Sequence, residues 1–342
     1  MLLSIIIVSY NTKDLLKQCL DSIIKSLTDH SLIDNKHQTS SKRVTARDQA
    51  SSFSYEIIIV DNNSKDDTQE MIKQLMADNR KKKNKPSSIN HHPLTIKLIE
   101  NQQNLGFAKA NNQGIKIAQG EYILLLNSDT KIIQKDFFAR AIRFLEKHPK
   151  IGILGPKLLW PGNKLQPSGG YFPQLPRLFA WAFFLDDLPF LSSLIRSYHP
   201  HHPGFYTKSK YFDQPHFQDW VTGACFFVRR SVFDKVGLLD ENFFMYAEEM
   251  EFCFRAKKAG FKVFYYPKLF LLHYGGQSSR PGTALRGEFV SLKYFFRKHF
   301  PSYYFYLALF LLKMAAFLRI ILFFIVNQKE KSKIYKEILL KI

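Results

Sequence analysis

The sequence predicts an α/β fold with a mostly parallel central sheet flanked by helices. Three observations predict it. The runs Leu3–Ser9, Glu56–Asp61, Leu94–Ile99 and Tyr122–Leu126 are short and nearly all apolar, as strands buried on both faces are. Stretches with helical apolar spacing separate them. Polar residues gather just past their carboxyl ends, where open α/β sheets bind ligands.

The elements follow in order. Met1–Tyr10 lacks a basic n-region and a small-residue cleavage site, so it is expected to be a first strand rather than a signal peptide. Leu15, Leu16, Cys19, Leu20, Ile23, Ile24 and Leu27 place one apolar face on a helix over Asp14–Leu27. Ser64–Met76 has acidic residues in its first turn and reads as a second helix. Ala108–Ala118 is a third, closed by Gly120. This alternation implies right-handed crossovers between parallel strands.

Two polar stretches, about 28–54 and 78–93, lack periodicity and are expected to be solvated insertions. The second carries Arg80-Lys-Lys-Lys83, Lys85 and His91-His92. No aromatic residues interleave the basic run, so a solvated loop is expected and no specific nucleic acid. The histidine pair reads as surface rather than metal site. Beyond the fourth strand the chain is aromatic and proline-rich to about residue 217, with few clear elements. A strand is expected over Trp220–Val228 and a short helix over Ser231–Val236. Glu248–Ala259 reads as a helix stopped by Gly260, and Phe261–Tyr266 as a strand ended by Pro267.

The 342 residues, 46% hydrophobic, suffice for a large core. A net charge of +20 points to anionic partners: nucleic acid, a phospholipid surface or a phosphorylated substrate. Cys19, Cys225 and Cys253 are too few and too scattered for a disulfide framework or a zinc site, which fits a reducing compartment. A domain over 1–285 and a membrane-associating helical segment over 286–342 are expected. Tyr303–Val326 is long enough to span a bilayer. Its fifteen Leu, Ile, Phe and Val residues favour insertion by about 0.3–0.6 kcal/mol each, whereas Lys313 and Arg319 oppose it by about 2.5–3.5 each. That near balance leaves three states open: a span, a basic helix pair lying on an anionic leaflet, or a helix packed on the protein's own core.

The chemistry concentrates at Asn127-Ser-Asp129, which ends the run Gly120–Leu126. A carboxylate there sits where a metal-bound diphosphate binds, and Mg²⁺ and Mn²⁺ prefer oxygen ligands shared with substrate phosphates. The bland alternative is an Asp that starts a turn. Ser9-Tyr10-Asn11, Asp61-Asn-Asn-Ser64 and Asn104–Asn112 fall on the same predicted sheet edge. Neither a Gly-x-Gly-x-x-Gly fingerprint nor a P-loop is present.

The ordered set Ser4–Asn11, Ile58–Ser64, Asn104–Asn112, Leu125–Thr130, Asp219–Cys225, Phe244–Glu251 and His273–Ser278 resembles the family 2 inverting glycosyltransferases of GT-A fold. Within them it resembles the rhamnosyltransferase-like branch. The similarity covers about residues 3–280.

The resemblance implies roles for residues at these positions. Ser9, Tyr10 and Asn11 would line the nucleotide-base pocket, and Asp61 would contact the base or ribose. Gly106 and Lys109 would border the nucleotide, Lys109 near its phosphates. Asn127, Ser128 and Asp129 stand at the DXD position, with Asp129 a ligand of Mn²⁺ or Mg²⁺ and Asn in place of the usual first Asp. His273 matches a late metal-ligand histidine. Glu249 matches the catalytic base, where the family usually has Asp, with Glu248 the fallback. Trp220, Gly223 and Ala224 would shape the acceptor side.

The implied partners are a nucleotide-diphosphate sugar donor, a glycan or lipid-linked acceptor and an anionic membrane surface at the cytoplasmic face. The implied reaction is inverting transfer, with rhamnose from dTDP-rhamnose the first expectation. UDP-sugar transfer, including galactofuranose, and a degenerate sugar-nucleotide binder are the alternatives. No Gln-x-x-Arg-Trp motif is present, which argues against a processive synthase.

Overall fold

The computed structural model describes residues 2–36, 54–83, 94–188, 198, 211–275 and 282–342. The four expected strands form β1 (Leu2–Ser9), β2 (Ser54–Asp61), β3 (Thr95–Glu100) and β4 (Tyr122–Asn127). They pair in the order β3-β2-β1-β4, all parallel. The register sets Ser9 beside Asp61 and Val8 beside Asn127, so the polar strand ends share one edge. Side chains alternate across the sheet. Ile5, Ile7, Ile57 and Ile59 pack with Leu16, Leu20 and Ile23 of α1 (Lys13–Lys36). Ile6 and Ile58 pack on the other face with Ala108 and Ile115 of α3 (Phe107–Ile117).

Two helices run further than expected. α1 continues to Lys36, and α2 (Thr68–Lys83) to Lys83. Once a helix is nucleated, each added residue gains a backbone hydrogen bond. The basic run 80–83 therefore forms the last turn of α2, where its charge complements the helix dipole, instead of a loop. Lys85, His91 and His92 lie outside the described residues.

Past β4 the sheet becomes mixed. β5 is Thr130–Lys131, α4 is Phe137–Lys147, β6 is Ile151–Trp160 and β7 is Lys164–Gln166. α5 (Leu175–Ala182) and β8 (His216–Gln218) lead to β9 (Cys225–Arg229), which runs antiparallel between β4 and β6. β6 was not anticipated because Gly152, Gly155 and Pro156 interrupt its apolar run. At Gly155 a Cβ would lie 2.6 Å from the Val221 side chain, so close approach of another segment explains the glycine. The strand expected at Trp220 begins only at Cys225. Trp220 instead makes an isolated bridge with Gly170.

α6 (Arg230–Val236) and α7 (Glu248–Lys258) precede β10 (Lys262–His273). β10 runs straight past Pro267, through an irregularity between Tyr266 and Phe270 in its pairing with β6. Proline is accommodated where the ladder is already broken. This extension carries His273 to pair with Thr130.

The chain closes with α8 (Thr283–His299), α9 (Ser302–Ile325) and α10 (Lys329–Lys341). One continuous apolar cluster joins the sheet to these helices, through Phe252, Phe295, Ala316 and Ile338. Glu251 of α7 is fully buried and pairs with Arg255 (2.9 Å), Lys298 (2.7 Å) and His299 (2.9 Å), which fastens α8 to α7. A buried carboxylate persists only with such partners.

Candidate active site

Asp61 ends β2 and is fully buried. Its Oδ2 accepts from the Ser64 N–H (3.0 Å) and from Gln69 Nε2 (2.7 Å). Its Oδ1 is buried with no partner. An orphaned carboxylate oxygen is costly unless something supplies a donor, and the described residues supply none to Oδ1.

The loops around it are laced together. Asn11, at φ 53°, donates its N–H to Ser64 Oγ (2.9 Å) and accepts the Lys65 N–H on Oδ1 (2.7 Å). Behind them a buried hydroxyl chain links Ser9 to Thr12 (2.9 Å) and Thr12 to Ser128 (3.0 Å). Ser9 and Ser128 thus hold the ends of β1 and β4 together, while Tyr10 is half-buried beside them.

Gly106 opens α3 at φ +81°, and a Cβ there would lie 2.3 Å from the Phe244 carbonyl oxygen. That carbonyl accepts the Phe107 N–H (2.8 Å). The Gly106 N–H donates to Asn104 Oδ1 (2.9 Å), and its carbonyl accepts from Asn62 Nδ2 (3.2 Å). The loop is therefore clamped against both the β2 end and the segment leading into α7. Gly106→Ala is expected to destabilise the fold by roughly 2 kcal/mol, through backbone strain and the clash. A urea midpoint lowered relative to wild type checks this. The other asparagines of the stretch are structural. Asn111 donates to the Phe107 carbonyl (3.0 Å), and Asn112 holds both the N–H and the carbonyl of Leu239 (3.1 and 2.8 Å). Lys109 is exposed on α3 between buried Ala108 and Ala110.

At the ends of β4 and β10, Asp129 Oδ1 lies 3.2 Å from His273 Nε2, and Asn127 Nδ2 lies 3.4 Å from the same nitrogen. The Tyr274 N–H donates to the Asp129 carbonyl (2.9 Å), which holds the two segments together. His273 Nδ1 lies 2.9 Å from Gln166 Oε1, an acceptor that favours the proton on Nδ1 and turns Nε2 toward Asp129. The Trp160 ring stacks over the imidazole at 6.5 Å. Among the described residues no group of three His, Cys, Asp or Glu converges. One carboxylate and one oriented imidazole suit a hard divalent cation that completes its shell with water and diphosphate oxygens.

The acidic pair begins α7. Tyr246 and Ala247, at φ 75° and 69°, precede it in left-handed conformations that non-glycine residues adopt only under constraint. Glu248 is buried and Glu249 half-buried. Glu249 Oε1 accepts the Gly223 N–H (3.3 Å), and Oε2 of each glutamate is buried without a partner. Burial pushes both carboxyls up, and the neighbouring Glu249 charge raises Glu248 further, well above the usual 4.5. Acids that merely complement a helix dipole stay solvated; these are withdrawn from water, as functional acids are.

The segment before β9 connects the parts. The Ala224 carbonyl accepts the Asn127 N–H (3.0 Å). A Cβ on Gly223 would approach both Phe107 (3.3 Å) and Glu249 Cβ (3.8 Å). Trp220 is buried in the core, its Nε1 donating to the Tyr171 carbonyl (3.3 Å). A single contact path thus runs from the Gly106 loop through Phe244 to α7, then from Glu249 through Gly223 and Ala224 to Asn127, Asp129 and His273. Gln69, Gln166, Trp160 and Thr12 were not foreseen. Each acts through a contact set by tertiary packing, with no local sequence signal.

The sequence profile of the family described as glycosyl transferase family 2 matches residues 4–237. An uncharacterized protein of Sinorhizobium fredii is 24% identical over 66% of this chain, a match that spans only 22% of its own length. The N-acetylglucosaminyl-diphospho-decaprenol L-rhamnosyltransferase of Mycobacterium tuberculosis is 25% identical over 62% of this chain and 69% of its own. Among solved structures, S. aureus TarS 1–349 in complex with UDP-GlcNAc superposes with a TM-score of 0.50 at 14% identity, covering 92% of this chain and 72% of that one. Its identity is low enough that the likeness concerns the fold alone. The chain belongs to glycosyl transferase family 2, with the GT-A fold of a glycosyltransferase.

Proposed function

We propose that the protein transfers a sugar, with inversion, from a nucleotide-diphosphate donor to a hydroxyl of a cell-surface glycan or lipid-linked acceptor at the cytoplasmic face of a membrane. The observation that carries this is the contact path tying Asp129 and His273 to Glu249 through Asn127, Ala224 and Gly223. It holds these residues in one rigid frame, which supports a diphosphate-binding end and a withdrawn carboxylate acting together in a direct displacement.

The free Oδ1 of Asp61 suits the ring N–H of a uracil or thymine, so a pyrimidine donor is favoured. Ser9, Tyr10 and Asn11 line that end, with the Gly106 loop over it and Lys109 toward the phosphates. Asp129 and His273 would hold Mn²⁺ or Mg²⁺, with Asn127 beside them. Such an ion, when bound, offsets the negative charge that builds on the leaving diphosphate. Glu249 takes the proton from the acceptor hydroxyl as that oxygen bonds to the anomeric carbon and the diphosphate departs. Glu248, deeper and harder to ionise, stays protonated behind it. Among the described residues no second carboxylate is placed as a nucleophile, so a single displacement is preferred to a retaining double one.

Rhamnose from dTDP-rhamnose is the favoured donor, supported by the rhamnosyltransferase activity for which the mycobacterial relative is named. Its decaprenol-linked acceptor likewise supports a lipid-linked acceptor here. Donor hydrolysis and thermal shift against dTDP-rhamnose, UDP-galactose, UDP-glucose, UDP-N-acetylglucosamine and GDP-mannose, each with and without Mn²⁺ or Mg²⁺, test this. A metal-dependent response to dTDP-rhamnose is expected. A response to a UDP-sugar alone moves the assignment to that donor. A response to GDP-mannose alone removes the pyrimidine assignment of Asp61.

A further inference from the structure

α9 is apolar around most of its circumference, with Lys313 an exposed charge, yet the protein covers only part of it. Ala308, Leu312, Ala315 and Ala316 are fully buried against the body of the molecule. On the opposite side Tyr303 (70% exposed), Tyr306, Phe310 (59%), Phe317 and Phe324 (69%) face outward. At 100° per residue these outward positions fall on one stripe, which runs the full length of the helix, about 36 Å at 1.5 Å per residue. Lone exposed hydrophobics need no explanation, but a continuous aromatic and aliphatic stripe does.

The buried face determines how such a stripe meets lipid. Arg319 lies inside the protein. Its guanidinium donates to the Trp181 carbonyl (3.0 Å) and sits over the Trp181 and Phe184 rings at 4.3 and 4.4 Å. It thus closes the C-terminal end of α5, whose final carbonyls favour a cation. α9 also packs along α8 and α10, which carry exposed Arg297, Lys298, Lys331 and Lys333. A spanning α9 would draw those charges into hydrocarbon or tear Arg319 from its partners. An α9 lying flat does neither. Tyrosines mark one end of the stripe and Lys329 follows the other, the residue types that favour a headgroup layer.

We propose that the outward face of α9 is a monotopic docking surface for an anionic lipid bilayer, with the helix in the membrane plane and not across it. Charge complementarity selects this occupant. From Arg286 to Ile342 the chain has eleven Lys and Arg against three Glu, and α10 exposes Lys329, Lys331, Lys333, Lys336 and Lys341. Such a basic surface is drawn to an anionic leaflet. A second copy of the chain on the same face would bring Lys313, exposed along the stripe, toward its own counterpart across a two-fold axis. The surface deepens the proposal of a membrane-held acceptor, because a flat α9 fixes the catalytic body against the leaflet that holds it.

Co-sedimentation of the full chain with phosphatidylcholine vesicles, with and without phosphatidylglycerol, tests the proposal in the absence of any sugar nucleotide. Binding to the anionic vesicles is expected to exceed binding to neutral ones at least tenfold and to leave the Lys-rich α10 open to trypsin added outside sealed vesicles. Phe310→Glu with Phe317→Glu, both exposed positions, should lower it at least tenfold with an unchanged melting temperature. Should that variant misfold, Lys329→Glu with Lys333→Glu and Lys336→Glu is the second probe and should lower binding similarly. Undiminished binding by the folded variants overturns the surface. Protection of α10 from trypsin added outside sealed vesicles overturns the in-plane arrangement in favour of a span. Self-association abolished by the Phe variant, with no vesicle binding, assigns the face to a second copy instead. Vesicle binding without donor turnover leaves this surface standing while the transferase proposal fails, and the converse holds equally.

Discussion

Glu249→Gln is expected to lower turnover by about 10²–10⁴-fold while leaving nucleotide affinity unchanged. The substitution keeps the side-chain volume and the acceptor oxygen that meets the Gly223 N–H (3.3 Å), and removes only the ability to take a proton. A KM-against-kcat split reads this directly, with nucleotide binding measured separately by calorimetry. Near-normal turnover would show that Glu249 is not the base. The pH profile adds an independent check. Burial raises Glu249 above the ordinary 4.5, and only the ionised form works as a base. The acid limb of kcat/KM should therefore lie above the ordinary carboxylate range and be lost in Glu249→Gln.

Linkage fixes the accompanying stability effect. A carboxyl whose folded pKa is raised binds more protons folded than unfolded. The contribution of the pair is complete below the unfolded value near 4.5 and is lost as pH rises through the raised values. Glu248→Gln should accordingly raise the melting temperature relative to wild type at pH 8 more than at pH 5. Equal shifts at both pH values would show that Glu248 is not held protonated.

Asp129→Asn is expected to reduce turnover by a hundredfold or more. Asp129 is the only carboxylate at this position, since residue 127 is already Asn. Removing it leaves one imidazole and two amides, a poor set for a hard dication. Charge stabilisation by such an ion contributes several kcal/mol, and about 2.7 kcal/mol is a hundredfold. The thermal shift that Mn²⁺ plus nucleotide produces in the wild type should also vanish, while the shift from nucleotide alone persists through Asp61. Retention of the metal-dependent shift would mean that Asp129 only braces the turn, through its carbonyl bond to the Tyr274 N–H (2.9 Å).

The placement of the candidate residues was legible in the sequence wherever a local pattern carried it. Ser9, Asp61 and Asn127 could be placed on one edge because each ends an apolar run, and parallel register brings such ends together. Glu248 and Glu249 could be placed at a helix start because acids open the helix and Gly260 follows its end. Their burial could not be read there. It depends on the strained Tyr246-Ala247 turn and on Gly223 packing from another segment. The partners of His273 were equally hidden, since Gln166 lies 107 residues away and Trp160 on a strand masked by glycines and a proline. β10 passes Pro267 because the ladder is already irregular there, which a propensity rule reads as a stop.

The C-terminal segment shows the division most clearly. The sequence by itself determined that 303–326 is long, apolar and set among basic residues, because length and composition are properties of the chain. It could not choose among a span, an in-plane helix and a core helix, since the cost of Lys313 and Arg319 depends on their surroundings. Only the tertiary structure decided that Arg319 is buried on the carbonyls that end α5, with Lys313 left exposed. A charge is expensive in hydrocarbon and tolerable against aligned carbonyls and aromatic rings, and which of these it meets is set by packing.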